Sequence, residues 1–225
     1  MLNFKLRTAE LPDLAHCLEI DASYITTHVW QMEERFERVT PEEPSPRRAN
    51  LTHKSRSKIV GKPPSPRPEE FRISLRPSRL PHPLAVPAPL DEQQLLTEWK
   101  KTDFLLVAET AAEEAPSETG ADMQPEIIGY IGLSVDVPRH LAWISSQAVQ
   151  LDYRRQGVGR ALLIEALHWA DRNRLRSIMI ELQTKNYPAI QFIQKNSFFF
   201  CGYNSVYYPT REIALFFGLR LERLT

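Results

Sequence analysis

The sequence predicts an α/β protein built on a central mixed sheet that is flanked by helices. From residue 141 onwards, apolar residues recur first with the period of a strand, then with that of a helix, then again as a strand. Such a unit joins two parallel strands, because the helix carries the chain back across the sheet. Two further strand-like segments, separated by a turn that contains proline, add an antiparallel pair and make the predicted sheet mixed.

The first forty residues are predicted to form one strand and two helices. Met1–Arg7 alternates apolar and polar residues, as a half-buried strand does. A helix is predicted to open at residues 8–13 and to run to about Asp21, because three leucines and an alanine lie on one face. A second, shorter helical stretch is predicted over residues 24–36.

The composition changes between residues 41 and 89, where twelve of the eighteen prolines lie. Residues 44–68 contain seven Lys or Arg and no Asp or Glu. Proline removes backbone donors, and so few apolar residues cannot offset the entropy of ordering, which predicts an extended or mobile insertion. Residues 71–76 alternate as a strand would. The basic part is either a solvated insertion or a patch for RNA or an acidic partner.

The remaining segments complete the predicted order. Periodicity, apolar runs and turn residues predict a short amphipathic helix, three strands, the helix of the parallel unit, a further strand and helix, and a final hairpin. In chain order these segments are residues 91–101, 104–108, 126–135, 141–151, 158–172, 177–182, 186–196, 198–208 and 213–221. We therefore predict one domain over residues 1–225 that carries a proline-rich basic insertion at about residues 41–70.

Composition bounds the possible partners and the compartment. Lys plus Arg equals Asp plus Glu at 28 each, so a nucleic-acid partner is not expected from the overall charge. No apolar run is long enough for a membrane span, and the N-terminus does not have the pattern of a signal peptide. Cys17 and Cys201 fit a reducing cytoplasm as small core residues better than they fit a disulfide framework.

One stretch, residues 149–163, predicts an anion site. An apolar strand passes through two arginines and two glycines and leads into a helix. The first turn of a helix has backbone N–H groups without intrahelical partners, and the helix dipole favours negative charge there. Gly157 and Gly159 leave those groups open to a diphosphate. Charge is added by Arg154, Arg155 and Arg160.

This loop resembles the acetyl-CoA pyrophosphate loop of the GNAT family of N-acetyltransferases, whose pattern is Arg/Gln-x-x-Gly-x-Gly/Ala. Residues 186–198 resemble a second motif of the family, Asn-x-x-Ala-x-x-Phe-Tyr-x-Lys-x-Gly-Phe. The matching residues are Asn186, Ala189, Phe192, Lys195 and Phe198, whereas Ile193 replaces the usual tyrosine and Ser197 the usual glycine. The resemblance extends over the C-terminal 95 residues and implies the GNAT-type acyl-CoA N-acyltransferase fold.

The resemblance also implies acetyl-CoA as the co-substrate. The implied cofactor-binding residues are Val149, Leu151, Arg154, Arg155, Gln156, Gly157, Val158, Gly159, Arg160, Ala161, Asn186, Ala189 and Phe192. The backbone of the strand around Val149, splayed from the strand at 177–182, would face the pantetheine arm and the thioester carbonyl. No metal is predicted, because His16, His28 and His168 lack the spacing of metal ligands.

Candidate catalytic residues are Glu181, Tyr207 and Tyr208. An amine must lose a proton as it attacks the thioester, and Glu181 corresponds to a base proposed in the subgroup that acetylates protein N-termini. An ion pair between Glu181 and Lys185 or an arginine is the structural alternative. Tyr207 and Tyr208 lie in a hairpin resembling that of the subgroup, which includes a ribosomal-protein enzyme. They either shape the acceptor site or pack the hairpin.

The sequence therefore predicts an N-acetyltransferase that moves acetyl from acetyl-CoA to a primary amine. A peptide N-terminal α-amino group is slightly favoured over a small-molecule amine, because the Tyr-Tyr-Pro hairpin at 207–209 is the only feature that indicates the kind of acceptor. The alternative is a domain that binds acetyl-CoA without turnover, as a sensor or scaffold, and Ile193 is the main support for it. The chain is expected to act without a membrane partner, as a monomer or a homodimer.

Overall fold

The computed structural model describes residues 2–37, 70–110 and 125–221. Nine strands and four helices lie within these ranges. In chain order they are β1 (Phe4–Thr8), α1 (Asp13–Glu19), β2 (Tyr24–Glu37), β3 (Glu70–Val86), α2 (Glu92–Trp99), β4 (Phe104–Thr110), β5 (Ile127–Asp136), β6 (Leu141–Val149), α3 (Val158–Arg172), β7 (Ser177–Gln183), α4 (Tyr187–Lys195), β8 (Phe199–Asn204) and β9 (Ala214–Arg220).

Seven of these strands form one mixed sheet in the order β1-β4-β5-β6-β7-β9-β8. All neighbours are antiparallel except β6 and β7, which are parallel and are joined through α3. The outermost pair on one side, β1 and β4, begins with Phe4 opposite Thr110. The α/β fold class with a mixed central sheet is confirmed, as is the parallel unit predicted around residues 141–182.

The parallel pair separates soon after it starts. β6 and β7 pair only at Leu141 with Ser177, Ala142 with Ile178 and Trp143 with Met179. From Ile144 to Val149, β6 pairs only with β5 on its other side. The predicted splay is therefore present, and it opens the sheet between the two strands toward their C-terminal ends.

Helix α3 covers the sheet with its apolar face. Leu162, Leu163 and Ala166 are completely buried, and Trp169 stacks on Phe104 of β4 with ring centroids 4.6 Å apart. Each fully buried leucine contributes roughly 1.5–3 kcal/mol relative to exposure. This packing fixes the beginning of α3, which follows the predicted anion loop, against the middle of the sheet.

Helices α1 and α2 enclose a second part of the core. Cys17 of α1 and Trp99 of α2 are buried in one cluster with Tyr130 of β5. Asp91 caps α2 reciprocally: Gln94 N–H donates to the Asp91 carboxylate at 2.8 Å, and the Gln94 side chain accepts from Asp91 N–H at 3.0 Å. Both helices were predicted. Cys17 is a core residue as expected, whereas the expectation for Cys201 is wrong because its side chain is exposed on β8.

The helix predicted over residues 24–36 is wrong, because this segment belongs to β2. Its first seven residues, Tyr-Ile-Thr-Thr-His-Val-Trp, are β-branched or aromatic except for one, and such side chains favour extended backbone. Strand β3, which includes the strand predicted at 71–76, pairs with β2 in a separate two-stranded sheet. Residues 70–86 are therefore all strand, whereas the sequence predicted a strand only at 71–76 within an extended or mobile loop.

The chain divides into two compact units, one of residues 1–29 and 79–225 and the other of residues 30–78. Within the smaller unit, Arg76 donates to the Glu33 carboxylate at 2.8 Å and Ser78 donates to Gln31 at 2.8 Å. The basic insertion at 44–68 lies outside the described residues. The division into one domain with an insertion at about 41–70 stays a prediction.

An ionic cluster with two buried carboxylates connects β1, α1 and β4. Arg7 Nε donates to Glu109 at 2.7 Å, and the two terminal nitrogens of Arg7 donate to the Asp13 carboxylate at 2.5 and 2.9 Å. Lys5 pairs with the other Glu109 oxygen at 2.6 Å. The hydrogen bonds from Arg7 lower the pKa of Asp13, and the pKa of Glu109 is lowered by Lys5 and Arg7 despite its burial.

Within the three described ranges, no helix is both long and apolar enough to cross a bilayer.

Candidate active site

The predicted anion loop leads through a glycine turn into helix α3. Gly157 is the N-cap of α3 and has φ 95°, a left-handed conformation that glycine adopts without strain. A Cβ on Gly157 would meet nothing within 4 Å, so its backbone angle accounts for glycine here and crowding does not. Gly157 is exposed and is followed by the first turn of α3, where the first backbone N–H groups of a helix lack intrahelical partners.

Gly159 faces the other elements of the site. A Cβ there would lie 3.5 Å from Val149 Cγ2 and 3.9 Å from Phe192 Cζ. The space beside Gly159 is thus bordered by the end of β6 and by α4. These elements carry the two sequence motifs, at 149–163 and at 186–198. The fold brings both motifs to the opening between β6 and β7.

The three predicted arginines separate into two kinds. Arg155 and Arg160 are exposed. Neither side chain forms a hydrogen bond or ion pair with another residue in the described parts of the chain. Arg154 is different, because its guanidinium donates to the carbonyl oxygens of Val149, Ser23 and Asp21. Because its guanidinium contacts main-chain oxygens, Arg154 would contact a diphosphate only through its backbone.

Three of the other predicted cofactor residues line one cavity. Asn186 accepts from Ala189 N–H at 3.2 Å as the cap of α4, and both residues line the cavity described below, as does Phe192. Leu151 is half exposed beside the loop, and Val158 is buried under it. Gln156 donates to the Asp152 carbonyl at 2.7 Å, which closes the turn before α3.

The cavity has a volume of about 760 Å³. Its walls come from the end of α1 and the turn that follows it, the start of α2, the free part of β6, the end of β7, α4 and residues 208–210. Among the described residues that line it, the charged ones are all acidic: Glu19, Asp21, Asp91, Glu92 and Glu181. The charged part of the described cavity lining is therefore negative.

Glu181 is a half-buried carboxylate on β7 that lines this cavity. Burial raises its pKa, and the hydroxyls of Tyr207 and Tyr208 act in the opposite direction. The ion pair considered for it with Lys185 is not formed, because Lys185 pairs with Glu212. Glu181 has no cationic partner among the described residues. A carboxylate without a counter-ion at a cavity wall is suited to accept a proton.

The two tyrosines lie against this carboxylate. Tyr208 donates to Glu181 Oε1 at 3.4 Å, a long hydrogen bond, and Tyr208 also lines the cavity. Burial raises the pKa of both tyrosines, and the nearby Glu181 charge raises them further. Tyr207 contacts Phe216 edge to face at 5.5 Å and is 47% exposed. Tyr208 is thus placed at the site, whereas Tyr207 also packs the hairpin.

Ile193 lines the cavity from α4 and is 1% exposed. A tyrosine here would have to displace neighbouring core atoms before its hydroxyl could reach the cavity. Metal chemistry has no candidate ligands: no group of three or more His, Cys, Asp or Glu within the described segments could hold a metal ion.

Sequence reasoning missed several residues of this site. Gln147 on β6 donates to the Gly159 carbonyl at 3.0 Å, and with Ser145 and Ser146 it lines the cavity. Three consecutive polar residues inside an otherwise apolar strand were the available signal. The acidic residues of α1 and α2 gave no comparable signal, since charged residues at helix ends are common.

The fold and this arrangement of residues point to a class of protein, the acyl-CoA-dependent transferases. The comparison with family models agrees, because the acetyltransferase (GNAT) family matches residues 84–198. The chain belongs to the GNAT family of acetyl-CoA-dependent N-acetyltransferases. The resemblance found in the two motifs is confirmed at the level of the family.

Among characterised proteins, streptothricin acetyltransferase A of Bacillus subtilis is 40% identical over 79 residues. That alignment covers 33% of this chain and 46% of the relative, so the chain matches less than half of the relative's length. A nourseothricin acetyltransferase structure superimposes with a TM-score of 0.65 at 18% identity, covering 96% of this chain and 98% of the other. The structure of a Bacillus anthracis protein described as a streptothricin acetyltransferase, in complex with acetyl coenzyme A, superimposes with a TM-score of 0.63 at 21% identity. That superposition covers 98% of this chain and 99% of the other.

The ribosomal-protein-S18-alanine N-acetyltransferase of Escherichia coli has the same fold, with a TM-score of 0.55 at 15% identity over 99% of this chain and 96% of its own. At these identities the structures show the fold alone. The predicted special resemblance to ribosomal-protein acetyltransferases is not supported, because the streptothricin and nourseothricin enzymes superimpose better.

Proposed function

We propose that the protein transfers acetyl from acetyl-CoA to a primary amine on a small cationic molecule of the streptothricin type. The observation that carries this proposal is the charge of the cavity, whose described charged residues are five carboxylates. Two unit charges 4 Å apart interact by roughly 1 kcal/mol in water and roughly 4 kcal/mol at an effective dielectric constant of 20. Several carboxylates therefore favour an acceptor that carries more than one positive charge.

Acetyl-CoA supplies the activated acetyl group, and this chain supplies its placement. The N–H groups at the start of α3, with the exposed Arg155 and Arg160, would hold the diphosphate. The gap between β6 and β7 would receive the pantetheine arm beside Ser145–Gln147. In this arrangement Glu181, which lies on β7 next to the gap, would be available to the acceptor amine.

Glu181 would take the proton that the amine loses as it attacks. Most amines are protonated near neutral pH, so the acceptor must give up a proton before or during the reaction. A carboxyl whose pKa is raised by burial is a better base than an ordinary surface carboxylate. Tyr208 donates to Glu181 and is placed to orient it.

The sequence relative supports the same acceptor. The 79 residues shared with streptothricin acetyltransferase A are 40% identical, whereas the sequence indication for a peptide N-terminus was the Tyr207–Tyr208 hairpin alone. Those tyrosines contact Glu181 and so are explained by the catalytic site whichever amine is bound. A peptide α-amino group remains the second candidate, on the ground of that hairpin.

A panel of acceptors tests the proposal. The purified full chain is incubated with acetyl-CoA and, separately, streptothricin, nourseothricin, spermidine or a peptide that begins with alanine, and both CoA release and product mass are followed. We expect turnover with streptothricin or nourseothricin and little with the peptide. Preferential acetylation of the peptide would overturn the small-molecule assignment, and binding of acetyl-CoA without turnover of any acceptor would favour the sensor alternative. Glu181→Gln serves as the control for site-dependent turnover.

A further inference from the structure

We propose that Arg154 is a positioning residue that fastens the acceptor side of the cavity to the cofactor loop. The acceptor side is assigned by the proposed function, on which this inference partly rests. Arg154 stands three residues before Gly157, the N-cap of α3, so its backbone belongs to the loop. Its side chain leaves the loop and contacts a segment more than 130 residues earlier in the chain.

The contacts of the guanidinium are three main-chain oxygens. Arg154 Nε donates to Val149 at 2.8 Å, Nη1 donates to Ser23 at 2.7 Å and Nη2 donates to Asp21 at 2.5 Å. Each guanidinium nitrogen therefore already has an acceptor. The planar fork of an arginine suits three carbonyls in different directions, and a lysine ammonium cannot reproduce this arrangement.

The turn that Arg154 holds contributes to the cavity wall. Asp21 and Ala22 line the cavity, and they lie in the turn between α1 and β2. The Asp21 carboxylate does not compete for the guanidinium, because it accepts from Ser23 N–H at 2.8 Å and from the Ser23 hydroxyl at 2.9 Å. This turn is therefore closed by its own hydrogen bonds and attached to the loop through Arg154.

Val149 completes the connection. Its carbonyl accepts from Arg154, and its side chain borders Gly159 on the first turn of α3. One side chain thus joins the end of β6, the diphosphate loop and the wall that carries Asp21. The position of the acceptor relative to the thioester depends on these three segments moving together. Removal of the guanidinium is expected to weaken acceptor binding more than acetyl-CoA binding.

Steady-state kinetics with four variants test this assignment, with streptothricin as the acceptor. Arg154→Gln and Arg154→Lys are expected to raise the KM for streptothricin about tenfold or more, the scale of losing charged hydrogen bonds, with a smaller change in the KM for acetyl-CoA. Arg155→Gln, on the exposed side of the loop, is expected to raise mainly the KM for acetyl-CoA. Arg172→Gln removes a guanidinium that contacts Glu165 on the outer face of α3, and it should leave both constants unchanged.

The split between the two KM values decides the role. If Arg154→Gln raised only the KM for acetyl-CoA and Arg154→Lys restored that KM, Arg154 would be a phosphate contact and the proposal would be overturned. A lower Tm with both KM values unchanged would show a purely structural residue and would overturn it equally.

A second measurement does not depend on the acceptor. Hydrogen exchange at the amides of residues 20–24, followed with and without CoA, should be slowed by CoA in the wild type and not in Arg154→Gln. Equal slowing in both proteins would overturn the coupling. If the wild type does not acetylate streptothricin, the proposed function is wrong. The exchange experiment still tests the coupling through Arg154, because it needs only CoA.

Discussion

Gly159 allows a graded test of the diphosphate loop. A Cβ at this position would make only ordinary van der Waals contacts, at 3.5 Å to Val149, 3.7 Å to Gln147 and 3.9 Å to Phe192. Gly159→Ala should therefore fold and bind CoA almost as the wild type does. Gly159→Asn adds the volume of a larger side chain without charge, and Gly159→Asp adds the charge to nearly the same volume.

The charge is expected to dominate. A carboxylate about 4 Å from one diphosphate charge opposes it by roughly 4 kcal/mol at an effective dielectric constant of 20, which is about a thousandfold in Kd. The aspartate should not unfold the protein, because a negative charge in the first turn of a helix is favourable. The asparagine variant should fall between alanine and aspartate.

Thermal unfolding with and without CoA measures the effect. At a hundredfold excess over Kd, CoA stabilises the wild type by about 2.7 kcal/mol, or about 5–10 °C in Tm for a chain of this size. Gly159→Ala should keep this shift, and Gly159→Asp should lose it while its Tm without CoA is unchanged or slightly higher. A full CoA shift in Gly159→Asp would refute the assignment of the loop, and equal loss in alanine and aspartate would refute the electrostatic argument.

Three further predictions concern catalysis and stability. Glu181→Gln should lower kcat by about a hundredfold to ten-thousandfold with little change in CoA binding, and the wild-type rate should fall as pH drops through the raised pKa of Glu181, a limb that the variant lacks. Arg7→Met should lower the free energy of unfolding at pH 7 by about 2–3 kcal/mol, below the range for fully buried pairs because Arg7 is partly exposed. The pKa values of Asp13 and Glu109 are lowered in the folded state. The loss of stability should therefore be largest above about pH 4, near the pKa values of the unfolded chain, and should shrink as pH falls through the pKa values of the folded state. Urea unfolding at several pH values measures this dependence. Ile193→Tyr should raise turnover only if the protein still folds around the larger side chain; a stable variant with no gain, together with full activity of Tyr207→Phe and Tyr208→Phe, would exclude tyrosine as an acid for the thiolate.

Local sequence was sufficient to predict the fold of the segment that we propose binds acetyl-CoA. The alternation of β6, the two glycines and the apolar face of α3 are consecutive in the chain, so periodicity and turn chemistry predicted them. The helix predicted at 24–36 failed for a reason that is also local. Its polar and apolar residues fitted a helix by spacing, but the β-branched and aromatic side chains at 24–30 favoured a strand.

The acceptor side of the cavity was beyond local reasoning. Asp21 and Glu181 are 160 residues apart, and only the folded sheet places both on one cavity. The proposed role of Arg154 was obscured for the same reason, since two of its acceptors lie in the turn after the first helix. An arginine beside a diphosphate motif suggests an anion contact, and only the structure shows that main-chain oxygens occupy its side chain.

The pairing of β1 with β4 has a consequence for how the sequence can vary. Phe4 and Thr110 are neighbours in the sheet although about a hundred residues separate them, and that interval contains β2 and β3. The entropy of closing a loop grows only with the logarithm of its length, so doubling a flexible connection costs roughly 0.6 kcal/mol. By this relation, a change in the number of residues between β1 and β4 costs the pairing of these two strands little free energy.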